Sequence, residues 1–223
     1  MAEPSESIWQ RPERALRGRA PGYSRHEIAA AGVGLADRDG LPAVTMRAVA
    51  RAIGTGAGSL YRYVSTREEL VALMVDEVNG ELELSGPDDR PWLDQMLELG
   101  HRARDVYRRH PWMMTALDTV PSLGPNGCAY LEHALSVLAA TGADGQDKLE
   151  AVGVFSGLVR LLCRDERDAS TPGQSARSDH LLAVAATGDY PHLAAALRGA
   201  RPEDDQFDRL LRGVLSGLLP TRS

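Results

Sequence analysis

At 223 residues the chain is long enough for one large domain or two small ones, with ample core. Two cysteines, Cys128 and Cys163, exclude a disulfide framework in a chain of this length, and no stretch approaches the ~18 consecutive apolar residues of a membrane span. A net charge of −6 speaks against nucleic acid as a partner of the chain as a whole, though not of one part of it.

Residues 1 to 22 are charged and rich in proline and glycine, with no apolar run of the signal-peptide kind. A cytoplasmic protein with reduced thiols is therefore expected. This first segment reads as a flexible basic arm. Its Arg11, Arg14, Arg17 and Arg19 either follow a phosphate backbone, enter a minor groove or stay solvated.

A helical module is expected over residues 23 to 84. Ser24-Arg25-His26-Glu27 is a capping box, and Ile28, Ala31, Gly32, Leu35 and Ala36 give the helix it opens an apolar stripe. Gly40 stops that helix and Pro42 prevents its return. In the next helix Val44, Val49, Ala50 and Ile53 fall on one face. A turn at Gly54-Thr55-Gly56 follows, then a short helix whose Leu60 and Val64 close the same core. Two short helices joined by a glycine turn form a helix-turn-helix, the arrangement that places its second helix in the DNA major groove. The positions left outside the core, Ala57, Gly58, Ser59, Tyr61, Arg62 and Tyr63, are small, hydroxylic, aromatic or basic, which suits close approach to a base edge. Ser65-Thr66-Arg67-Glu68 reads as a second capping box, opening a helix to about Glu83 with Leu70, Leu73, Met74 and Val78 inward.

Ser85-Gly86-Pro87-Asp88-Asp89 breaks that helix and marks a domain boundary, after which residues 85 to 223 read as helices throughout. They are expected at Pro91 to Arg109, from Pro111 past Leu117, from an N-cap at Asn126 to Ala140, and from Gly145 (capped by Asp144) to Glu166. Residues 168 to 177 are polar and loop-like. Helices near Ser178 to Thr187 and Pro191 to Arg198 follow, and a last one runs from Pro202 to near Leu219. In this last helix Phe207, Leu210, Leu211, Val214, Leu215 and Leu218 recur at amphipathic spacing. With no strand signal and no repeat, the fold class is all-α: a three-helix helix-turn-helix domain and a larger helical domain.

Sorting the charges removes the objection that net acidity raises. Between Arg11 and Arg67 stand ten arginines against Glu13, Glu27, Asp37 and Asp39, whereas residues 68 to 223 carry a net −10. A basic head on an acidic body suits phosphate binding by the head alone.

Residues 24 to about 79 resemble the DNA-binding domain of the TetR (tetracycline-repressor-like) family of transcription regulators. The resemblance rests on Ile28, Ala31, Gly40, Thr45-Met46-Arg47, Val49-Ala50, Ile53-Gly54, Leu60-Tyr61-Arg62-Tyr63-Val64 and Arg67-Glu68-Glu69-Leu70. It implies a homodimer whose variable C-terminal domain binds a small molecule and whose heads then leave a palindromic operator, most often as a repressor and without catalytic activity. It also implies roles for single residues. Arg47 would reach a guanine edge or a phosphate, Ala57, Gly58, Ser59, Tyr61 and Tyr63 would face DNA, Thr55 would add a hydroxyl, and Arg62 and Arg67 would hold phosphates. The alternative is an all-helical scaffold protein whose helix-turn-helix contacts other proteins.

Chemistry elsewhere is sparse. His101 and His110, or Cys128 and His133, lack metal-ligand spacing, and neither a phosphate loop nor a nucleophile elbow is present, so no metal, cofactor or catalytic residue is expected. His101, Tyr107, Trp112, Met113, Met114, Leu117 and Phe155 would line an apolar effector pocket, or else serve as ordinary core. Gly153-x-x-x-Gly157 and Gly213-x-x-x-Gly217 set small residues one turn apart. With Leu211 and Leu215 they would form a four-helix interface with a second copy, unless they pack closely within one subunit.

Overall fold

The computed structural model describes residues 7–11, 22–86, 88–119, 123–169, 172–198 and 206–219. Among these there are helices and no strand, the all-α class expected. In chain order the helices are α1 (Arg25–Asp39), α2 (Met46–Ala52), α3 (Ala57–Leu60), α4 (Arg67–Asn79), α5 (Trp92–Arg109), α6 (Met113–Thr119), α7 (Pro125–Leu138), α8 (Gly145–Ala169), α9 (Pro172–Ala185), α10 (Pro191–Arg198) and α11 (Gln206–Leu218). They fall into two compact units. The first comprises Met1–Asp88 with Asp105–Ser136, the second Asp89–Arg104 with Val137–Ser223. Residues 105–136, which lie beyond the boundary read at Ser85, thus group with the N-terminal head.

The first unit is built on α1 against α4. Ser24 accepts the Glu27 amide and Glu27 reaches back to the Ser24 amide, so the capping box forms as read. Ile28, Val49, Leu60, Val64, Leu70, Met74 and Met113 are buried in one continuous core. Gly32 is needed where α1 crosses α4. A Cβ there would stand 2.7 Å from Met74 Sδ, so a side chain at this position would force the buried Met74 side chain to move.

Three local expectations are corrected here. Helix α4 is capped by Thr66, not Ser65: Thr66 Oγ1 accepts the Glu69 amide at 3.1 Å and Glu69 Oε2 accepts the Ser65 amide at 2.7 Å. Both registers match the capping-box pattern, and the later one leaves Arg67 at the first helical position, from which it reaches back into the head. Helix α4 then ends at Asn79, with Gly80 as its C-cap, rather than at Glu83, and Glu81 beyond it pairs with Arg109 and His110. Finally, α7 starts at Pro125 with Asn126 inside it, where the Asn126 side chain donates to the Asp76 carbonyl at 2.9 Å.

Asp76 is the one acid buried in α4, and it takes the place of an N-cap for α7. Its carboxylate accepts the Gly127 amide at 2.9 Å and the Asn126 amide at 3.3 Å, two of the donors a helix start leaves unpaired. Burial outweighs those two hydrogen bonds and raises the carboxyl above its ordinary range.

In the second unit α8 packs against α11. Phe155, Leu211 and Leu215 are fully buried, and a Cβ on Gly100 would meet Leu211 at 3.1 Å and Phe155 at 3.4 Å. Arg104 pairs with Glu166 and stacks over Phe207 at 4.8 Å, while Arg212 pairs with Asp94 at 2.8 Å. Asp144 caps α8 through the Asp147 amide at 2.9 Å, as expected. The loop read at 168 to 177 is corrected: α8 runs to Ala169 and α9 begins at Pro172, since proline is well suited to the first position of a helix.

Candidate nucleic-acid interface

The Thr45 hydroxyl accepts the Ala48 amide at 3.1 Å and starts α2. Val44, which the sequence places on this helix, precedes it and enters the core from the adjoining turn. Met46, Val49 and Ala50 face inward, leaving Arg47 and Arg51 outside. The chain then reverses at Gly54, whose φ of +73° favours glycine, and the Thr55 amide closes on the Ala50 carbonyl at 2.8 Å.

Helix α3 is one turn long, with no side-chain cap at Gly56. Leu60 and then Val64, both fully buried, anchor it. Arg47, Gly58, Tyr61 and Arg62 are exposed, whereas Thr55, Ala57, Ser59 and Tyr63 are half-buried. The two tyrosines therefore differ in role. Tyr63 packs on the core, while Tyr61 is 54% exposed and stands in solvent. A Cβ at Gly58 would meet nothing within 4 Å, so no internal packing demands glycine and the backbone there lies open to approach from outside. Among the described residues Arg47, Arg51 and Arg62 have no hydrogen-bond or ion-pair partner in the protein. This face offers cations, hydroxyls and bare backbone on two helices anchored to the core, as phosphate and base-edge contacts require.

Residues 28–74 match the family model for bacterial regulatory proteins of the tetR family, and residues 85–222 match that for the tetracyclin repressor-like C-terminal domain. The chain belongs to the TetR family. It is similar to an HTH-type transcriptional regulator of Saccharopolyspora erythraea, at 33% identity over 96% of this chain and 92% of that one. The HTH-type transcriptional repressor DrrR1 of Streptomyces coeruleorubidus is 30% identical over 98% of this chain and 85% of its own. Among solved structures, apo ActR from Streptomyces coelicolor superposes with a TM-score of 0.77 at 27% identity, covering 91% of this chain and 97% of that one. ActR in complex with actinorhodin gives 0.75 at 29% identity, over 88% and 97%.

Within this TetR-family head one of the residues read as a DNA contact also has a structural role. Arg67 donates from Nε to the Val44 carbonyl and from Nη2 to the Leu41 carbonyl, each at 3.0 Å. It ties the start of α4 to the turn before α2, while the residue as a whole stays exposed. The basic arm is corrected in part. Ile8 is buried in the head's core, Trp9 packs against it, and Arg11 pairs with Glu69. Arg14, Arg17 and Arg19 lie outside the described residues.

The seven residues read as effector lining are divided between the units. Tyr107, Trp112, Met113, Met114 and Leu117 belong to the first, where all but Met114 join or pack against the head's core. His101 and Phe155 belong to the second, where His101 pairs with Asp208 at 2.7 Å and lies 5.1 Å from the Phe207 ring. Of the six interface residues, Leu211 and Leu215 are corrected, because their side chains fill the subunit's own core. Gly153, Gly213 and Gly217 are exposed and Gly157 half-buried.

Sequence reading missed a polar clasp in the first unit. His110 Nδ1 lies 2.7 Å from Asp37 Oδ1 and its Nε2 lies 3.1 Å from Glu81, while Trp112 Nε1 donates to the same Asp37 oxygen at 2.7 Å. The clasp joins the end of α1, the end of α4 and the start of α6. One signal was available: Asp37 sits in the last turn of α1, where the helix dipole disfavours an acid unless something compensates it.

Proposed function

We propose that this regulator is a homodimeric repressor that holds a two-fold operator and leaves it when its C-terminal domain binds a small molecule. The operator contacts in this reading are Arg47, Thr55, Ala57, Gly58, Ser59, Tyr61, Arg62 and Tyr63. The observation that carries it is the exposed, unpartnered face of α2 and α3, with Arg47, Tyr61 and Arg62 outward above a closed core. The similar proteins include a named repressor, DrrR1, and ActR solved with actinorhodin and with (S)-DNPA.

Pairing is read from the outer face of α8 and α11. Leu149, Val154, Leu161 and Leu218 are exposed there beside Gly153 and Gly217. A Cβ at Gly153, Gly157, Gly213 or Gly217 would touch nothing within 4 Å, so packing inside the subunit gives these glycines no reason. Close approach of a second copy does.

Signal transfer follows from α4. Its start holds the head through Arg67, its middle holds α7 through Asp76, and the turn beyond its end holds His110 through Glu81. A shift of α6 or α7 is thereby passed to the turn before α2.

The test is enrichment of duplexes from a random library by the protein, repeated with Tyr61→Ala and Arg47→Ala. A palindrome enriched by the wild type and lost in both variants supports the reading and yields the operator for effector screening. No enrichment, even at low salt, would place the scaffold alternative first.

A further inference from the structure

The start of the chain holds a second device. Ile8 is 3% exposed and sits in the core shared by α1, α2 and α4, with Trp9 half-buried beside it. The amides of Gln10 and Arg11 close a single turn on the Ser7 carbonyl, at 2.9 and 3.3 Å. That turn delivers Arg11 to the corner between the recognition element and α4. There Arg11 Nη1 donates to Ser65 Oγ at 2.8 Å while Nη2 forms an ion pair with Glu69. Glu69 in turn accepts the Ser65 amide at 2.7 Å, so three groups close around the residue two places after Tyr63.

Arg11 is turned toward the protein. Its Nε and Nη2 atoms are buried, and Nη1 is engaged by the Ser65 hydroxyl. Burial raises the Glu69 carboxyl, but the hydrogen bonds from Arg11 and the Ser65 amide, with the Arg11 charge, outweigh it and hold the group below its ordinary range.

We infer that Arg11 is a positioning residue for DNA reading: the Ile8–Trp9 plug anchors residues 7–11 on the head, and Arg11 locks the Ser65–Glu69 corner so that Tyr61, Arg62 and Tyr63 are held in register. The inference rests on the operator-binding reading above. A locked corner favours the bound geometry without touching DNA, so its loss costs affinity where side chains must meet bases and little where only phosphates are gripped. Because Glu69 already neutralises Arg11, no counterion release depends on it.

The experiment uses the full-length protein, the duplex it enriches from a random library, and a scrambled duplex of equal composition. Arg11→Gln, Glu69→Gln and the double variant are titrated on both duplexes over a range of salt, with thermal unfolding in parallel. Arg11→Gln is expected to lose about fivefold on the enriched duplex, near the top of the range for one partly exposed charged pair, and under about twofold on the scrambled one. Glu69→Gln should match it, the double variant should be no worse than either single one, and the slope of log affinity against log salt should not change. Arg11→Lys, which keeps the charge but cannot serve Ser65 and Glu69 together, should recover only part of the loss.

A slope shallower by about 0.9 in Arg11→Gln, with Glu69→Gln binding normally, would show Arg11 on a phosphate and overturn the inference. Equal losses on both duplexes with a lowered melting temperature would reduce it to a structural residue. If the wild type enriches no duplex, the operator reading itself fails; if it does and the variants bind as the wild type, only the role of Arg11 falls.

Discussion

Replacing Arg67 by alanine separates a structural clasp from a phosphate ligand. In the head its guanidinium satisfies the carbonyls of Val44 and Leu41, each at 3.0 Å. A hydrogen bond from a charged donor contributes about 1.5 to 3 kcal/mol when well shielded. Arg67 as a whole is exposed and water replaces part of each bond, so about 2 kcal/mol for the pair is the reasoned loss. In a protein of this size that lowers the melting temperature by about 4 to 8 °C. Circular dichroism during thermal unfolding reads it directly.

Arg67→Lys sharpens the test. A phosphate ligand tolerates lysine, because a point charge serves nearly as well there. Two carbonyls reached by one planar fork do not, so the lysine variant should keep less than half of the stability lost in Arg67→Ala. The reasoning is refuted if Arg67→Ala melts within about a degree of the wild type while its salt slope becomes shallower by about 0.9, the signature of one lost phosphate contact.

Three further outcomes are expected. Asp76 has a folded-state pKa above its ordinary value of 3.8, so its contribution to stability is full below that value and is lost as pH rises through the folded pKa. The melting temperature of Asp76→Asn relative to wild type should therefore rise as pH is raised from about 4 toward neutrality; a fall would show that the α7 amides outweigh burial. Leu161→Arg should stay folded and sediment as a monomer, because Leu161 is 53% exposed, whereas Leu215→Arg should abolish soluble protein, because Leu215 is fully buried; soluble, folded Leu215→Arg would contradict the packing of α11. Tyr61→Ala should lose more affinity on the enriched duplex than on a scrambled one, and Tyr63→Ala should also lower the melting temperature, since only Tyr63 packs on the core; equal melting temperatures in titrated thermal scans would erase the distinction.

Legibility followed the range of the interactions. The capping box at Ser24 and the Asp144 cap are local, and both form where the sequence places them. Residues Leu60 and Val64 were readable as core because helical periodicity is a local property as well. What escaped was set by groups far apart in the chain. Two registers of one capping pattern compete at Ser65 and Thr66, and the choice between them leaves Arg67 free to reach carbonyls 23 and 26 residues away. Leu211 and Leu215 lie on the apolar stripe of α11, but a stripe does not say whether its partner is the same chain or another. That distinction came from burial: Leu211 and Leu215 are fully buried, whereas a Cβ at any of the four glycines would meet nothing within 4 Å.

The acids placed against expectation turn out to share a purpose. Asp37 at the wrong end of α1, Asp76 inside the apolar run of α4 and Glu69 beside the docked Arg11 are each satisfied by a partner from another part of the first unit. A hydrophobic contact would serve stability as well, but it tolerates sliding. A carboxylate held by two amides, or by a ring nitrogen and an indole N–H, does not, because a displacement of one ångström leaves a desolvated charge without its donors. Such joints give the head few intermediate positions. A regulator that must be either on its operator or off it has more use for that property than for the last increment of stability, and α4, the helix that carries or adjoins most of these joints, is where a substitution should change the response to a small molecule while leaving the DNA-facing side chains untouched.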